Sequence, residues 1–562
     1  MLSARVTRSN LSAQVISLNI REQKSAIGNW QSAIFSLLLF SSFTTAQSIW
    51  QPDNGNGTYK NPIIYADYSD PDVIRVGSDF YLTASSFNSS PGLPILHSRD
   101  LVNWRIIGHA LQYQTPLNLF AKPQHGNGVW APAIRYHNNY FYIFYPDPDY
   151  GIYMLKARNA AGPWSAPLLI KSAKGWIDPC PFWDDDGNAY LVHAWANSRA
   201  GIKSVLHINK MSADGTKILD EGKMIFDGHE HHPTIEGPKL HKRNGYYYIF
   251  APAGGVPTGW QTVLRSKSIY GPYEDKIVMD QGQTQINGPH QGAWVELRSG
   301  ESWFIHFQDR GSYGRIVHLQ PMQWLNDWPV IGQDNDRDGK GEPVAVYKKP
   351  KVGAQYNIAV PQTTDEFASR AIGLQWQWHA NSQKTWSSLV ARPGWIRLNS
   401  IPLPFEAVNL WSVPNLLLQK LPAPTFISTT KIDANGLLPN EEAGLVMMGM
   451  NYSYLAVVRT DQGFRLERTI CEDAPKETEE TEEAGVDLTD GSLYLRIAVG
   501  PDALCRFSYS KDGARFTEIG APFTAREGRW IGAKVGLFAV SLTQAQRQGF
   551  ADFDWFRFDV YR

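Results

Sequence analysis

The stretch Asp70-Pro-Asp-Val-Ile-Arg-Val-Gly-Ser-Asp-Phe-Tyr-Leu82 decides the fold, because its pattern recurs four more times along the chain. It joins a polar or small residue and a proline or small residue to an apolar strand, a tight turn and an aromatic-rich strand. The other four copies begin at Ala131, Asp178, Glu236 and Gln291. Their intervals of 47 to 61 residues match the length of a four-stranded blade with its connections. We therefore predict an all-β fold that begins with a five-bladed β-propeller over residues 59–347.

A second domain follows the propeller. After Tyr347, the run Lys348-Lys-Pro-Lys-Val-Gly353 interrupts the repeat and is typical of a linker. The remainder alternates strand-like segments such as Tyr454-Leu-Ala-Val-Val-Arg459. We predict a β-sandwich of jelly-roll type over residues 354–562.

The charge balance excludes two classes of partner. The 562 residues carry a formal net charge of −1, and only 19% of them are charged. This composition lacks the positive surface that binds nucleic acid or an anionic membrane. We expect neither partner.

The N-terminal region resembles a targeting segment. Residues 33–43 are mostly apolar, follow Arg21 and Lys24, and precede the small-residue run Thr44-Thr-Ala46. An apolar run of this length is too short to span a bilayer, whereas a cleaved signal peptide fits its length and order. We predict a signal region within residues 1–46, with a spurious extension at its start, and a secreted protein.

Secretion agrees with three sequons for N-linked glycans beyond residue 46, at Asn56, Asn88 and Asn451. The chain has only three cysteines, so no disulfide framework is expected. One bridge between Cys471 and Cys505 is plausible, which leaves Cys180 as a small buried apolar residue.

Three of the five repeat starts are acids: Asp70, Asp178 and Glu236. The first strand of every propeller blade lines the central channel, so these positions converge near the axis. Three acids buried together would repel one another, and such a cluster needs a reason. Catalysis is one explanation. A metal site, or hydrogen-bonded caps at the strand ends, is the alternative.

Five stretches, in this order, resemble glycoside hydrolase family 43. They are Asn61-Pro-Ile-Ile-Tyr-Ala-Asp-Tyr-Ser-Asp-Pro-Asp72, Gly128-Val-Trp-Ala-Pro132, Ile177-Asp-Pro-Cys-Pro-Phe-Trp-Asp-Asp-Asp-Gly187, Ile235-Glu-Gly-Pro-Lys-Leu240 and Gly288-Pro-His-Gln-Gly292. The resemblance covers essentially the whole propeller. It implies a β-xylosidase or α-L-arabinofuranosidase, and the C-terminal part resembles the β-sandwich that often follows this catalytic domain and helps shape its pocket.

Carried over by position, the resemblance makes Asp70 the general base, Glu236 the general acid and Asp178 the residue that orients the acid and tunes its pKa. The base must be ionised, whereas burial and the charge of Asp178 would keep a proton on Glu236. The family inverts the anomeric configuration. We therefore expect the two catalytic carboxyls roughly 6.5–9.5 Å apart, with room for a water.

The resemblance also implies residues that bind the sugar. Arg315 matches an arginine that binds the terminal sugar in relatives, and Phe87 and Trp130 match walls of the pocket. Packing of the propeller would explain the two aromatic residues equally well.

Two features raise the question of a metal. His290 matches a histidine beside calcium or water in the central channel of relatives, although a satisfied core histidine is as good an explanation. The run Asp334-Asn-Asp-Arg-Asp-Gly339 begins like a calcium loop, but position twelve is Ala345 where such loops have Glu. A solvated turn is the simpler interpretation. No cofactor is needed for the chemistry, and calcium stays a candidate structural or activating ion.

We therefore expect an exo-acting, inverting enzyme that releases xylose or arabinofuranose from xylan, arabinoxylan or their oligosaccharides. Two alternatives are an endo-acting arabinanase and a non-catalytic propeller that binds carbohydrate.

Overall fold

The computed structural model describes residues 49–544 and 547–561. The signal region predicted within residues 1–46 lies outside the described residues. Strands dominate the described chain, and the only helical segments in it are one short α-helix and four 3₁₀ turns: Asn197–Ala200, Gly311–Tyr313, Leu410–Ser412, Ala474–Lys476 and Pro501–Ala503. None of the described helices is long and apolar enough to cross a membrane.

Five four-stranded antiparallel sheets form the propeller, each built from consecutive strands. Blade I has strands Asp72–Val76, Asp79–Thr83, Gly92–Ser98 and Trp104–Leu111. Blade II has Ala133–His137, Tyr140–Asp147, Gly151–Ala157 and Leu168–Ser172. Blade III has Trp176–Trp183, Ala189–Trp195, Val205–Met211 and Lys223–Asp227. Blade IV has Lys239–Arg243, Tyr246–Ala253, Trp260–Ser266 and Glu274–Met279, and blade V has His290–Glu296, Ser302–Asp309, Arg315–Leu325 and Trp328–Ile331.

A two-stranded pair joins the two ends of the ring. Strand Thr58–Lys60 pairs antiparallel with Val346–Lys348, so the start of the propeller is tied to its end. Tyr59 of this pair is fully buried and its hydroxyl donates to the carbonyl of Leu319 at 2.8 Å. The predicted five-bladed propeller is confirmed.

Two sheets, in which almost all neighbouring strands are antiparallel, form the C-terminal sandwich. The first has the order Gln377–Trp378, Leu417–Lys420, Lys534–Ser541, Glu441–Met448, Tyr452–Thr460, Gly463–Cys471 and Thr481–Leu488, with Ile401–Pro402 beside Lys534–Ser541. The second has Ser387–Ser388, Ile396–Asn399, Phe550–Asp559, Phe426–Asp433, Ser492–Val499, Leu504–Ser510 and Thr517–Glu518, with Phe523–Thr524 beside Leu504–Ser510. Inward apolar side chains of both sheets make the core between them. The predicted sandwich is confirmed.

The suggested bridge between Cys471 and Cys505 is wrong. All three cysteines are free and buried. Cys471 ends a strand of the first sheet, whereas Cys505 lies on a strand of the second, so the two thiols belong to opposite layers of the sandwich. Cys180 is a buried residue of blade III, as expected.

One of the three sequons does not fit a glycan. Asn88 is only 1% exposed, and its side-chain amide donates to the carbonyl of His379 at 2.8 Å. The nitrogen that would carry a glycan is therefore engaged between the propeller and the sandwich. Asn56 is exposed, and Asn451 is half-buried.

The sandwich and the propeller share apolar contacts. Tyr65, Tyr313 and Ile316 of the propeller belong to the main hydrophobic cluster of the sandwich. Trp378 also forms an isolated antiparallel bridge with Ser90 of blade I. The sandwich is thus packed against the end of the propeller that carries these residues.

Candidate active site

Asp70 lies two residues ahead of the inner strand of blade I, with a left-handed backbone (φ 52°). Its side chain is buried and accepts two hydrogen bonds, from the hydroxyl of Ser85 at 2.5 Å and from Nη1 of Arg315 at 3.0 Å. The guanidinium also donates to the hydroxyl of Ser69 at 2.8 Å. Two donors, one of them a cation, thus orient this carboxylate for accepting a proton from water.

Asp178 lies within the inner strand of blade III, where the pairing register shifts between Ile177 and Cys180. Its backbone is left-handed (φ 56°) and its side chain is buried. One carboxylate oxygen accepts from the backbone N–H of Gly237 at 2.7 Å. Burial raises the pKa of Asp178, while Lys239 and the Gly237 N–H act in the opposite direction. Asp178 thus holds the backbone directly after Glu236.

Glu236 precedes the inner strand of blade IV, and its own N–H donates to the carbonyl of Pro252 at 3.1 Å. The side chain is 29% exposed. Burial raises the pKa of Glu236 well above its usual value, and the charges of Asp178 and Asp70 raise it further, whereas Arg315 lowers it. Glu236 therefore keeps its proton to a higher pH than an ordinary glutamate does.

His290 begins the inner strand of blade V and is fully buried. Its Nε2 lies 3.5 Å from a carboxyl oxygen of Glu236, and neither ring nitrogen has a hydrogen-bond partner among the described residues. Burial and the charge of Arg315 lower the pKa of His290 to about 3, so the ring is neutral.

The described residues around His290 do not assemble three protein ligands for a cation. The one cluster of three candidate ligands in the described ranges is Asp334, Asp336 and Asp338, on the loop after blade V. Calcium at either position stays a prediction, and no chemical step below depends on it.

The two predicted aromatic residues, Phe87 and Trp130, lie next to each other. Phe87 is buried, with a left-handed backbone (φ 49°), and its ring centroid is 6.5 Å from that of Trp130. The indole N–H of Trp130 donates to the carbonyl of Gly126 at 2.8 Å. Phe87 and Val129 are joined by backbone hydrogen bonds in both directions, which sets the spacing of the two side chains.

The sandwich helps shape the pocket, as the resemblance implies, but the loop and the residue that do so were not predicted from the sequence. Residues 525–533 connect its strands Phe523–Thr524 and Lys534–Ser541, and we call them the sandwich loop. Trp530 of this loop meets Trp130 edge to face, with ring centroids 6.4 Å apart. A cavity of about 400 Å³ lies between the propeller and the sandwich, lined by Asp309, Gly311, Gly314, Arg315, Met450, Glu527, Gly528, Arg529, Trp530 and Ile531.

The three acids, Arg315 and His290 therefore come together from blades I, III, IV and V or their connections. The charges of Asp70, Asp178, Glu236 and Arg315 act on one another.

Residues 59–329 match the model of glycosyl hydrolases family 43, and residues 364–559 match that of the beta-xylosidase C-terminal concanavalin A-like domain. A relative from Xylanibacter ruminicola is 41% identical over 497 residues, which are 88% of each chain. The chain is a family 43 glycoside hydrolase.

Further relatives of this family 43 enzyme match over similar lengths. A non-reducing end alpha-L-arabinofuranosidase from Bacteroides ovatus is 29% identical over 89% of this chain and 94% of its own. The crystal structure of xylan beta-1,4-xylosidase from Bacillus halodurans superposes with a TM-score of 0.78, at 26% identity, over 89% of this chain and 99% of its own.

Proposed function

We propose that this family 43 enzyme is a secreted, inverting exo-glycosidase that releases terminal xylose, arabinofuranose or both from xylan or arabinoxylan fragments. The observation that carries the proposal is the contrast between two carboxyls of one site. Asp70 accepts from Arg315 and Ser85, whereas Glu236 has its pKa raised by burial and by neighbouring negative charge. One group is prepared to take a proton and the other to give one.

The proposed reaction is a single displacement at the anomeric carbon. Asp70 takes a proton from a water, the water oxygen bonds to the anomeric carbon, and the glycosidic bond breaks on the opposite face. Glu236 donates its proton to the departing oxygen. Asp178 orients Glu236 through the adjacent Gly237 N–H, and Arg315 binds the terminal sugar beside Asp70. Family 43 chemistry needs no cofactor for these steps.

Exo action is supported by the sandwich loop. Trp530 stands against Trp130, and the loop forms one side of the cavity at Arg315. These contacts favour a pocket closed on one side over an open groove, which disfavours the alternative of an endo-acting arabinanase. Secretion is supported by residues 33–46 of the sequence alone.

The choice of sugar is open between two pentoses. Terminal xylopyranose and arabinofuranose can present similar hydroxyl groups to one pocket. The names of the relatives from B. halodurans and B. ovatus support one sugar each.

The test is hydrolysis of p-nitrophenyl β-D-xylopyranoside and p-nitrophenyl α-L-arabinofuranoside by the full chain. We expect Glu236→Gln to lower kcat by about 10²–10⁴ on an oligosaccharide, whose departing sugar oxygen needs a proton, and by less on the p-nitrophenyl glycosides, whose p-nitrophenolate leaves without one. Asp70→Asn should abolish turnover. Proton NMR of the first product should show α-xylose from the β-xyloside.

Three outcomes would contradict the proposal. Initial release of β-xylose would exclude inversion, and full activity of Glu236→Gln on the oligosaccharide would exclude its role as the acid. Inactivity of the wild type on both glycosides, with cleavage inside polymeric arabinan, would favour the endo-acting alternative.

A further inference from the structure

Asp67 lies three residues before the base Asp70 and has no place in the proposed chemistry. It is 3% exposed, and both of its carboxylate oxygens accept from backbone N–H groups. Oδ1 accepts from Arg315 at 2.9 Å, and Oδ2 accepts from Gly532 of the sandwich loop at 3.1 Å. One carboxylate thus joins the backbone of the sugar-binding arginine to the backbone of the loop that carries Trp530.

The two backbones that Asp67 joins are in direct contact. A Cβ atom on Gly532 would lie 2.6 Å from the nitrogen of Gly314, and one on Gly314 would lie 2.5 Å from the carboxyl carbon of Asp67. Gly314 also has φ 71°, a conformation that suits glycine. A side chain at either glycine would therefore separate the sandwich loop from blade V.

Other contacts hold the same segment from the sandwich side. The N–H of Ala533 donates to the carbonyl of Ser312 at 2.7 Å, and the Ser312 hydroxyl donates to the carbonyl of Ala525 at 2.6 Å. The Tyr313 hydroxyl donates to the carbonyl of Pro424 at 2.7 Å and accepts from the N–H of Ala503. These bonds place the turn before Arg315 against the sandwich, but among the described contacts it is Asp67 that reaches both Arg315 and the loop.

Asp67 also faces two lysines of the sandwich, of which Lys534 is buried and Lys420 is half-buried. Lys420 and Lys534 are paired across neighbouring strands. Burial lowers the pKa of both lysines, and the charge of Asp67 opposes that effect on each of them. The amine of Lys534 donates to the hydroxyl of Ser89 at 2.6 Å. A carboxylate at position 67 therefore also offsets positive charge under the loop.

We propose that Asp67 is a positioning residue, which fixes Arg315 and the sandwich loop in one register by accepting from the N–H groups of Arg315 and Gly532. Through these two bonds it sets the distance between the arginine that holds the terminal sugar and the tryptophan that bounds the pocket. The inference rests on the proposed function, since it assigns Arg315 to sugar binding.

The test is Asp67→Asn in the full chain. Asparagine keeps the shape but presents one oxygen and one NH₂ group, so one of the two N–H groups loses its acceptor. We expect KM for the preferred p-nitrophenyl pentoside to rise about tenfold with a smaller change in kcat, because binding geometry changes and the acid and base do not. Hydrogen exchange should accelerate in peptides covering residues 309–317 and 525–534.

Asp100→Asn is the matched control. Asp100 is also buried and accepts from two backbone N–H groups, those of Val102 and Asn103, in the turn between the two outer strands of blade I. We expect this variant to lose stability without a change in KM. Asp67→Asn combined with Trp530→Ala should raise KM by less than the product of the single effects, because both changes act on the same loop.

Unchanged KM and unchanged exchange in both peptides of Asp67→Asn would overturn the inference. So would a loss of melting temperature equal to that of Asp100→Asn as the sole effect. If the wild type hydrolyses neither pentoside, the proposed function fails, while the exchange measurement still decides whether Asp67 holds the two segments.

Discussion

The single negative charge of Asp178 raises the pKa of Glu236. Its carboxylate is buried beside Glu236 and is, after burial, the largest cause of the raised pKa of the acid. A raised pKa means that Glu236 keeps its proton below that value and loses it, with its catalytic role, as pH rises through it. The alkaline limb of kcat/KM should therefore report Glu236.

We predict that Asp178→Asn moves the alkaline limb of kcat/KM to lower pH, because removal of the negative charge lowers the pKa of Glu236. The measurement is a pH profile of pentoside hydrolysis. Asp186→Asn, in the exposed turn of the same blade, is the control and should leave the limb in place. A limb that stays in place in Asp178→Asn would show that the charge of Asp178 does not raise the pKa of Glu236.

Sequence reasoning reached some residues of the site and missed others for a physical reason. Asp70, Asp178 and Glu236 occupy equivalent positions in a repeat, and the symmetry of a propeller brings such positions together. Asp67 and Trp530 belong to no repeat. Their place depends on how the sandwich docks, which is decided by contacts between residues more than 400 positions apart.

At the scale of elements, Asp70 lies just before the inner strand of blade I, and Asp178 lies where the inner strand of blade III is irregular. Asp70 and Asp178 both have left-handed backbones, and the pairing of blade III shifts register next to Asp178. An irregularity of this kind turns a side chain out of the alternating pattern of a strand. In regular strands these side chains would have pointed to the faces of the blade instead.

The sandwich loop supplies one side of the pocket, so the pocket needs both domains. We predict that Trp530→Ala raises KM for the pentoside about tenfold, since an aromatic pair such as Trp130 and Trp530 contributes roughly 0.5–1.5 kcal/mol beyond its buried area. Steady-state kinetics measures the effect. Trp395→Ala removes a tryptophan elsewhere in the sandwich and should leave KM unchanged. Equal KM values for both variants would contradict the role of the loop.

The turns and aromatic strands in the sequence predicted where the propeller strands lie. The sequence did not predict which strands of the sandwich are neighbours. The suggested pairing of Cys471 with Cys505 failed because alternation of side chains gives the faces of a strand but not the sheet to which it belongs. The buried sequon at Asn88 was invisible for a related reason: its burial comes from contact with His379 of the other domain.

At the scale of the whole molecule, closure of the ring depends on the pair Thr58–Lys60 and Val346–Lys348. We predict that Tyr59→Ala destabilises the propeller by about 3–5 kcal/mol, as expected when a fully buried aromatic side chain is truncated. Urea unfolding followed by tryptophan fluorescence should show an earlier transition. Tyr136→Ala, at a 42% exposed position, is the control, and an equal shift in both variants would refute a special role for closure.

The three free thiols give each half of the molecule its own reporter. Cys180 is buried in the propeller, and Cys471 and Cys505 are buried in the two layers of the sandwich. A thiol reagent can modify them only when the surrounding structure opens. Alkylation followed by mass spectrometry would therefore measure the opening rates of the propeller and of the sandwich separately. No substitution in the chain is needed for this measurement. The fold also needs no oxidant to form, so folding in a reducing cytoplasm should give the same enzyme.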